Sequence, residues 1–177
     1  MSDQFLEFSE VLCRLSAEEE KWLRHQLEEV VIVDGKEYPA SEAPSDGKVE
    51  WSGCRGWLDD ESFVPEACRG FDYEFGDDGG ENGWGRHLWV HSEDYGEPEQ
   101  VAHLVQKFLR RFRADDYWTL SYGVQRSTPS VGAFGGGALM VTADEVAHQG
   151  TSDFLSAAVT EVKRRKPSAR PAGSGGA

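Results

Sequence analysis

Between Phe71 and Thr142 the spacing of apolar residues switches from two to about 3.6 and back to two, which restricts the chain to an α+β fold. Phe71, Tyr73 and Phe75 alternate with Asp72 and Glu74, as in a half-buried strand. A glycine-rich acidic loop follows, and Arg86 to Ser92 returns as a second strand, antiparallel to the first across a hairpin-like connection. Pro98 suits the first turn of a helix, in which Val101, Leu104, Val105, Phe108, Leu109 and Phe112 form one apolar stripe. Tyr117–Val124 and Ala138–Thr142 then read as a third and a fourth strand, with Trp118, Leu120 and Tyr122 on one face. A helix from about Ser152 to Arg165 closes the pattern, with Phe154, Leu155, Ala158, Val159 and Val162 inward, and Lys166-Pro167 ends it.

The N-terminal stretch reads as two further helices. Phe5, Phe8, Leu12 and Leu15 recur at spacings of three and four. Ser16 stands three residues before Glu19, a capping box that starts the second helix, whose stripe is Trp22, Leu23 and Leu27. Val30–Val33 followed by Asp34-Gly35 predicts a hairpin with a type I′ turn and a short return strand at Lys36-Glu37-Tyr38. Residues 39–62 show no sustained period and read as a long irregular excursion, pinned by Trp51 and Trp57. The expected architecture is therefore an antiparallel sheet of about four strands, a β-β-α-β-β-α core with helices on one face, preceded by two N-terminal helices. It forms a single α+β domain over residues 1–165, and residues 166–177 are a disordered basic Gly/Ser/Ala tail that folding does not need.

Composition excludes several classes. A chain that is 38% hydrophobic, with six Trp and nine Phe, is too apolar to be disordered. It has no long apolar run and no signal-peptide pattern, so the expectation is a cytoplasmic protein with no membrane contact. Cys13, Cys54 and Cys68 lack CxxC spacing and read as structural thiols rather than a disulfide framework or zinc site, although Cys54 and Cys68 could pair if folding joined them. The net charge of −14 understates the acidity: residues 163–177 hold five bases and no acid, leaving 13 basic against 32 acidic residues elsewhere, a net of −19. Such a body does not bind nucleic acid directly, and it favours a protein partner with a basic surface.

The chemical motifs are weak. Gly132–Gly137 lacks the lysine and following helix of a phosphate loop and reads as a structural turn or bulge. His87 and His91 share a strand face but stand about 13 Å apart by strand rise, too far for one metal. Pairs such as Asp59-Asp60, Glu93-Asp94, Asp115-Asp116 and Asp144-Glu145 are expected by chance in so acidic a chain, and Ser121 and Ser127 lack a GxSxG context. Lys107, Arg110, Arg111 and Arg113 crowd a helix C-terminus, which the helix dipole explains. No catalytic residue, metal ligand or cofactor is expected. If the apolar strand face packs on helices, the opposite face presents Asp72, Glu74, His87, Trp89, His91, Tyr117, Thr119, Ser121, Met140 and Thr142. Of these, His87, Trp89, His91, Tyr117 and Ser121 are the candidate binding residues, unless the N-terminal helices or the 39–62 excursion cover them.

Leu88-Trp89-Val90, the Pro98 helix, Trp118-Thr119-Leu120-Ser121-Tyr122, Val131–Ala138 and Val141-Thr142-Ala143-Asp144, with Leu15–Leu23 upstream, carry a resemblance over about residues 57–155. The chain resembles a family of small acidic bacterial, phage and plasmid proteins without an established activity. Family members carry a cysteine and more charge ahead of the glycines, where this chain reads Gln125–Ser130, so any site in that loop is altered here. The resemblance implies an α+β fold and a link to mobile elements, and it gives no reaction. The leading expectation is a non-enzymatic accessory protein acting by protein–protein binding. The alternatives are an acidic nucleic-acid mimic that inhibits a DNA-binding defence enzyme, and a metal-dependent hydrolase using the outer sheet face.

Overall fold

The computed structural model describes residues 4–58, 70–94, 96–127 and 134–165. Its centre is a six-stranded antiparallel sheet. In chain order the strands are β1 (Gln4–Leu12), β5 (Asp72–Asp77), β6 (Arg86–Ser92), β7 (Tyr117–Arg126), β8 (Phe134–Thr142) and β9 (Val146–Gly150). They lie in the order β5-β6-β1-β7-β8-β9. A smaller three-stranded sheet, in the order β3-β2-β4, is built from β2 (Glu29–Val33), β3 (Lys36–Pro39) and β4 (Val49–Cys54). The helices are α1 (Ala17–Gln26), the short α2 (Arg55–Leu58), α3 (Pro98–Phe112) and α4 (Thr151–Arg165).

This arrangement overturns the expected four-strand core preceded by two helices. The first predicted helix is instead β1, a central strand that separates the two hairpins β5-β6 and β7-β8. Its pattern was ambiguous because Phe8 and Leu12 are four residues apart, an even spacing that satisfies both a strand and a helix. Glu10 also sits on the core-side face, opposite Val90, and breaks the alternation that would have marked a strand. The sixth strand, β9, is short and lacks β-branched residues after Val146. It pairs with β8 from Gly137↔Gly150 to Val141↔Val146.

Only the second of the two predicted N-terminal helices forms. Ser16 Oγ accepts from the Glu19 amide at 3.2 Å while Glu19 Oε2 accepts from the Ser16 amide at 2.7 Å, closing the capping box. The β2-β3 hairpin turns at Asp34 and Gly35, both with positive φ (49° and 74°), as a type I′ turn requires. The described part of the 39–62 segment, residues 39–58, is more regular than its composition suggests: a 3-10 turn at Ala40–Glu42 leads to β4, which pairs with β2 across a register shift at Ile32/Val33. Arg55 at the start of α2 donates to Glu28 at 2.7 Å and also pairs with Glu37, fastening α2 to the hairpin. The side chains of Trp51 and Trp57, Cys68, the acid pair Asp59-Asp60, residues 128–133 and the tail at 166–177 lie outside the described residues.

One face of the large sheet packs on α3 and α1. Phe8, Leu12, Leu88, Val90, Trp118, Leu120, Leu139 and Val141 meet Leu23, Val101, Leu104, Val105, Phe108 and Leu109 in one core. Three of the four bases in the cluster on α3, Lys107, Arg110 and Arg113, help build this layer, and Arg111 is exposed. Lys107 Nζ donates to the Gly56 carbonyl (2.7 Å), Arg110 Nε to the Ala143 carbonyl (2.6 Å), and Arg113 Nε to Glu19 Oε1 (2.7 Å). The last helix is positioned differently. α4 forms over the expected residues, but its apolar stripe does not turn inward: Phe154, Leu155, Val159 and Val162 are all between 51% and 58% exposed.

Glycines in β8 allow a tight crossing of the sheet. A Cβ on Gly136 would lie 2.3 Å from the Tyr122 carbonyl oxygen, and one on Gly137 would lie 2.7 Å from the Tyr122 hydroxyl. The glycine run is therefore strand, and its first two residues, Gly132 and Ala133, lie outside the description. Gly136→Ala should destabilise the fold by about 1–3 kcal/mol, because the obstacle is backbone and cannot rotate away. Chemical denaturation would read this, and a neutral substitution would contradict the crossing.

Candidate functional site

Alternation along β6 sends Leu88 and Val90 into the core and places His87, Trp89 and His91 on the opposite face. Neither α1 nor the small sheet covers that face. α1 packs through Trp22 against Phe108 and Phe112 on the α3 side, and the small sheet joins the same side, where Tyr73 Oη donates to the Leu27 carbonyl at 3.3 Å.

The Trp89 and His91 rings stack with centroids 4.1 Å apart and planes 24° from parallel. Trp89 Nε1 donates to Ser9 Oγ at 2.9 Å, which fixes the indole across the β6-β1 boundary. Register places Ser9 opposite His91 on one side, with Asp72 beyond it on β5. Together Glu7, Ser9, Trp89, His91, Glu93 and Gly123 border an open cleft of about 500 Å³. The floor is aromatic and the rim is acidic. Such a cleft can hold an aliphatic or cationic side chain, since the ring faces attract cations and the carboxylates match them.

His87 plays another part. Its Nδ1 is 2.8 Å from the Gly85 carbonyl oxygen, and its ring meets Trp84 edge-on with centroids 5.4 Å apart. The ring overlies β5, where a Cβ on Gly76 would be 2.7 Å from Nε2. His87 thus belongs to a packed corner, separate from the Trp89–His91 pair.

Tyr117 and Ser121 lie on the far side of a split in the sheet. β1 pairs with β7 from Gln4↔Arg126 to Phe8↔Tyr122 and with β6 from Phe8↔Ser92 to Leu12↔Leu88. Beyond Phe8 the two strands part, and Trp118 Nε1 donates to the Val11 carbonyl at 3.2 Å across the opening. Ser121 and Thr119 are exposed on the β7 side, with Tyr117 71% and Met140 45% exposed beside them. The candidate residues therefore form two neighbouring patches, Trp89–His91 and Tyr117–Ser121–Met140, rather than one cluster. Glu7 and Ser9 were missed because β1 was read as a helix, and Gly123, on the correctly read β7, joins them only through its pairing with Glu7. The available signal was partial: Glu7 and Ser9 flank Phe8 between Leu6 and Leu12, but Glu10 interrupts the apolar set.

A second polar pair lies at the β7–β9 edge. Tyr122 Oη is hydrogen-bonded to His148 Nε2, and the rings stack with centroids 5.9 Å apart. Burial raises the Tyr122 hydroxyl above its usual range, and the charges of Glu99 and Asp153 add to the effect. The acidic loop after β5 uses its carboxylates locally: Asp77 accepts from the Gly79 amide, and Asp78 from those of Gly80 and Asn82 at 2.8 and 2.9 Å. Among the described residues, no three His, Cys, Asp or Glu side chains converge as metal ligands would, and no helix is long and apolar enough to cross a membrane. The chain matches no family model, no curated protein and no solved structure.

Proposed function

We propose that this chain is a non-enzymatic accessory protein that binds a protein partner through the outer face of its six-stranded sheet. One observation carries the reading: among the described residues no helix and no strand of the small sheet packs on this face, which presents a pre-ordered Trp89–His91 stack, with Tyr117 and Met140 on the neighbouring patch. Leaving large apolar side chains in water on a central sheet face needs a compensating use, and aromatic residues dominate the energetics of protein recognition. The acid rim of Glu7, Asp72, Glu74 and Glu93 favours a partner with a basic contact surface. Acids also surround α1 (Glu18, Glu20) and the turn at Asp144-Glu145, so the charge is scattered. That distribution favours a protein partner over nucleic-acid mimicry. A role in mobile-element biology is part of the proposal, and only the resemblance of the sequence to phage and plasmid proteins supports it.

The test compares the wild-type chain with Trp89→Ala as baits in the host cell extract. A partner retained by the wild type should be lost from Trp89→Ala by about tenfold or more in affinity, the range of a hot-spot residue. Stability should fall by less than about 1 kcal/mol, because the indole rests on the surface. Equal retention by both baits, or a stability loss of several kcal/mol, removes this face as the binding site.

A further inference from the structure

His91 stands between two clefts. On its β1 side it borders the cleft of about 500 Å³ with Glu7, Ser9 and Trp89, and on its β5 side a second cleft of about 460 Å³ is bordered by Gly70, Asp72 and Asp94. Ser92 and Glu93 border both. β1 and β5 flank β6, so they lie two strand spacings apart, about 10 Å. Each cleft has a carboxylate of its own, Glu7 or Asp72, and shares Glu93. These charges are not neutralised from within. Among the described residues no Lys or Arg pairs with Glu7, Asp72, Glu74 or Glu93, and Glu7 accepts instead from the neutral Gln125 amide at 2.6 Å. The register extends the imbalance to the whole face: the outward residues of the six strands include Glu7, Asp72 and Glu74 but no Lys or Arg. On the α3 side, by contrast, bases meet acids, as in Arg113 with Glu19 and Arg86 with Glu20. Ser92 gives an independent sign. It is only 7% exposed, and its hydroxyl has no hydrogen-bond partner among the described residues. A buried hydroxyl without a partner is unfavourable, and a donor entering either cleft supplies one.

We infer that the two clefts seat two neighbouring arginine side chains of the partner, one on each side of His91. The inference rests on the protein-binding reading of this face and names what the partner presents to it. Guanidinium is selected over ammonium by its shape. It is planar, it lies flat against aromatic rings, and its forked N–H groups match a carboxylate at two points. In the first cleft it lies against the Trp89–His91 stack, whose indole Ser9 holds in place, with Glu7 and Glu93 as acceptors. Gly123, opposite Glu7, has no side chain to fill that space. In the second cleft it meets Asp72 and Glu93, and the Ser92 hydroxyl accepts one of its N–H groups. The two arginines stand two residues apart on an extended segment. Alternate side chains of such a segment share one side at about 7 Å, and their length spans the remaining distance between the clefts.

The probe is a capped Gly-Arg-Ala-Arg-Gly peptide, titrated into the isotope-labelled full chain and read by the Trp89 indole N–H resonance, which Trp89→Phe assigns by its loss. The resonance should move with a millimolar dissociation constant at low salt. Replacing either arginine of the peptide by alanine should weaken binding about fivefold, the combined worth of an exposed ion pair and a cation on a ring. A Gly-Lys-Ala-Lys-Gly peptide should bind about threefold more weakly than the two-arginine peptide. Glu93→Gln, which touches both clefts, should weaken the two-arginine peptide about tenfold, and Glu7→Gln or Asp72→Asn about threefold each. Glu18→Gln on α1 should change nothing. These acids are exposed, so the variants keep the fold. A resonance that stays still at about 20 mM two-arginine peptide overturns the inference. Equal binding of the one-arginine or the lysine peptide, or binding indifferent to Glu93→Gln, overturns it equally. The protein-binding reading is tested apart from it. A host partner held by the wild type and by Glu7→Gln/Asp72→Asn/Glu93→Gln, but lost from Trp89→Ala, overturns the arginine assignment alone. Equal capture by the wild type and Trp89→Ala removes both.

Discussion

Phe108→Ala should lower the unfolding free energy by about 3–5 kcal/mol, a large part of the roughly 5–15 kcal/mol that stabilises a domain of this size. Phe108 is fully buried on the inner stripe of α3, in one cluster with Trp118, Leu120 and Val141. Its ring meets Trp22 at 6.3 Å and Phe112 at 5.5 Å, and the Arg113 guanidinium lies 5.1 Å from its centre. Truncation therefore opens a cavity where α1, α3 and the sheet meet, with neighbours on three sides that cannot all collapse into it. Phe108→Leu keeps much of the volume and should cost about half as much. Urea unfolding followed by Trp fluorescence reads both variants. A loss below about 1 kcal/mol for the alanine would mean that α3 does not seat on the sheet through this residue.

The same helix shows what the sequence could reveal. α3 was legible because its stripe, its N-terminal proline and its basic last turn all agree, and the β5-β6 and β7-β8 hairpins were legible from alternation. Pairing between the hairpins was not. The strand that joins them, β1, lies some sixty residues before β5, and long-range pairing leaves no local period to read. Glu10 on its core-side face hid the alternation further. The site suffered accordingly. Trp89 and His91 were placed on the outer face from β6 alone, but their partners Ser9 and Glu7 belong to β1 and became visible only with the register. Nor could alternation show that β1 and β7 part beyond Phe8, which divides Tyr117 and Ser121 from the Trp89 patch. The α4 stripe was legible as amphipathic, yet amphipathicity states only that a face needs covering and not that this chain supplies the cover.

Glu19 and Arg113 give the second large effect, and it depends on pH. Burial alone would push the Glu19 carboxyl up, but Arg113 at 2.7 Å and the Ser16 amide hold it below the usual carboxylate range. The Arg113 guanidinium also donates to the carbonyls of Cys13 and Arg14, so this one pair ties α1, α3 and the end of β1 together. Glu19 is 10% and Arg113 21% exposed, so the charges are poorly screened and neither can be left alone cheaply. Arg113→Met should cost about 2–4 kcal/mol at pH 7, slightly less than a fully enclosed pair because Arg113 keeps some solvent. The double variant Glu19→Gln/Arg113→Met should cost less than the sum of the two single changes, since each single change strands the other partner. The folded carboxyl has the lower pKa, so its stabilisation is fully present above the ordinary value of 4.5 and is lost as pH falls through the folded one. Wild type should therefore exceed Glu19→Gln in stability at pH 7, and the gap should close as pH drops from about 5 towards 3. Denaturant titrations of both proteins across that range measure the gap directly. A gap that stays constant with pH would show that Glu19 acts through its capping hydrogen bonds alone and that its charge against Arg113 adds nothing.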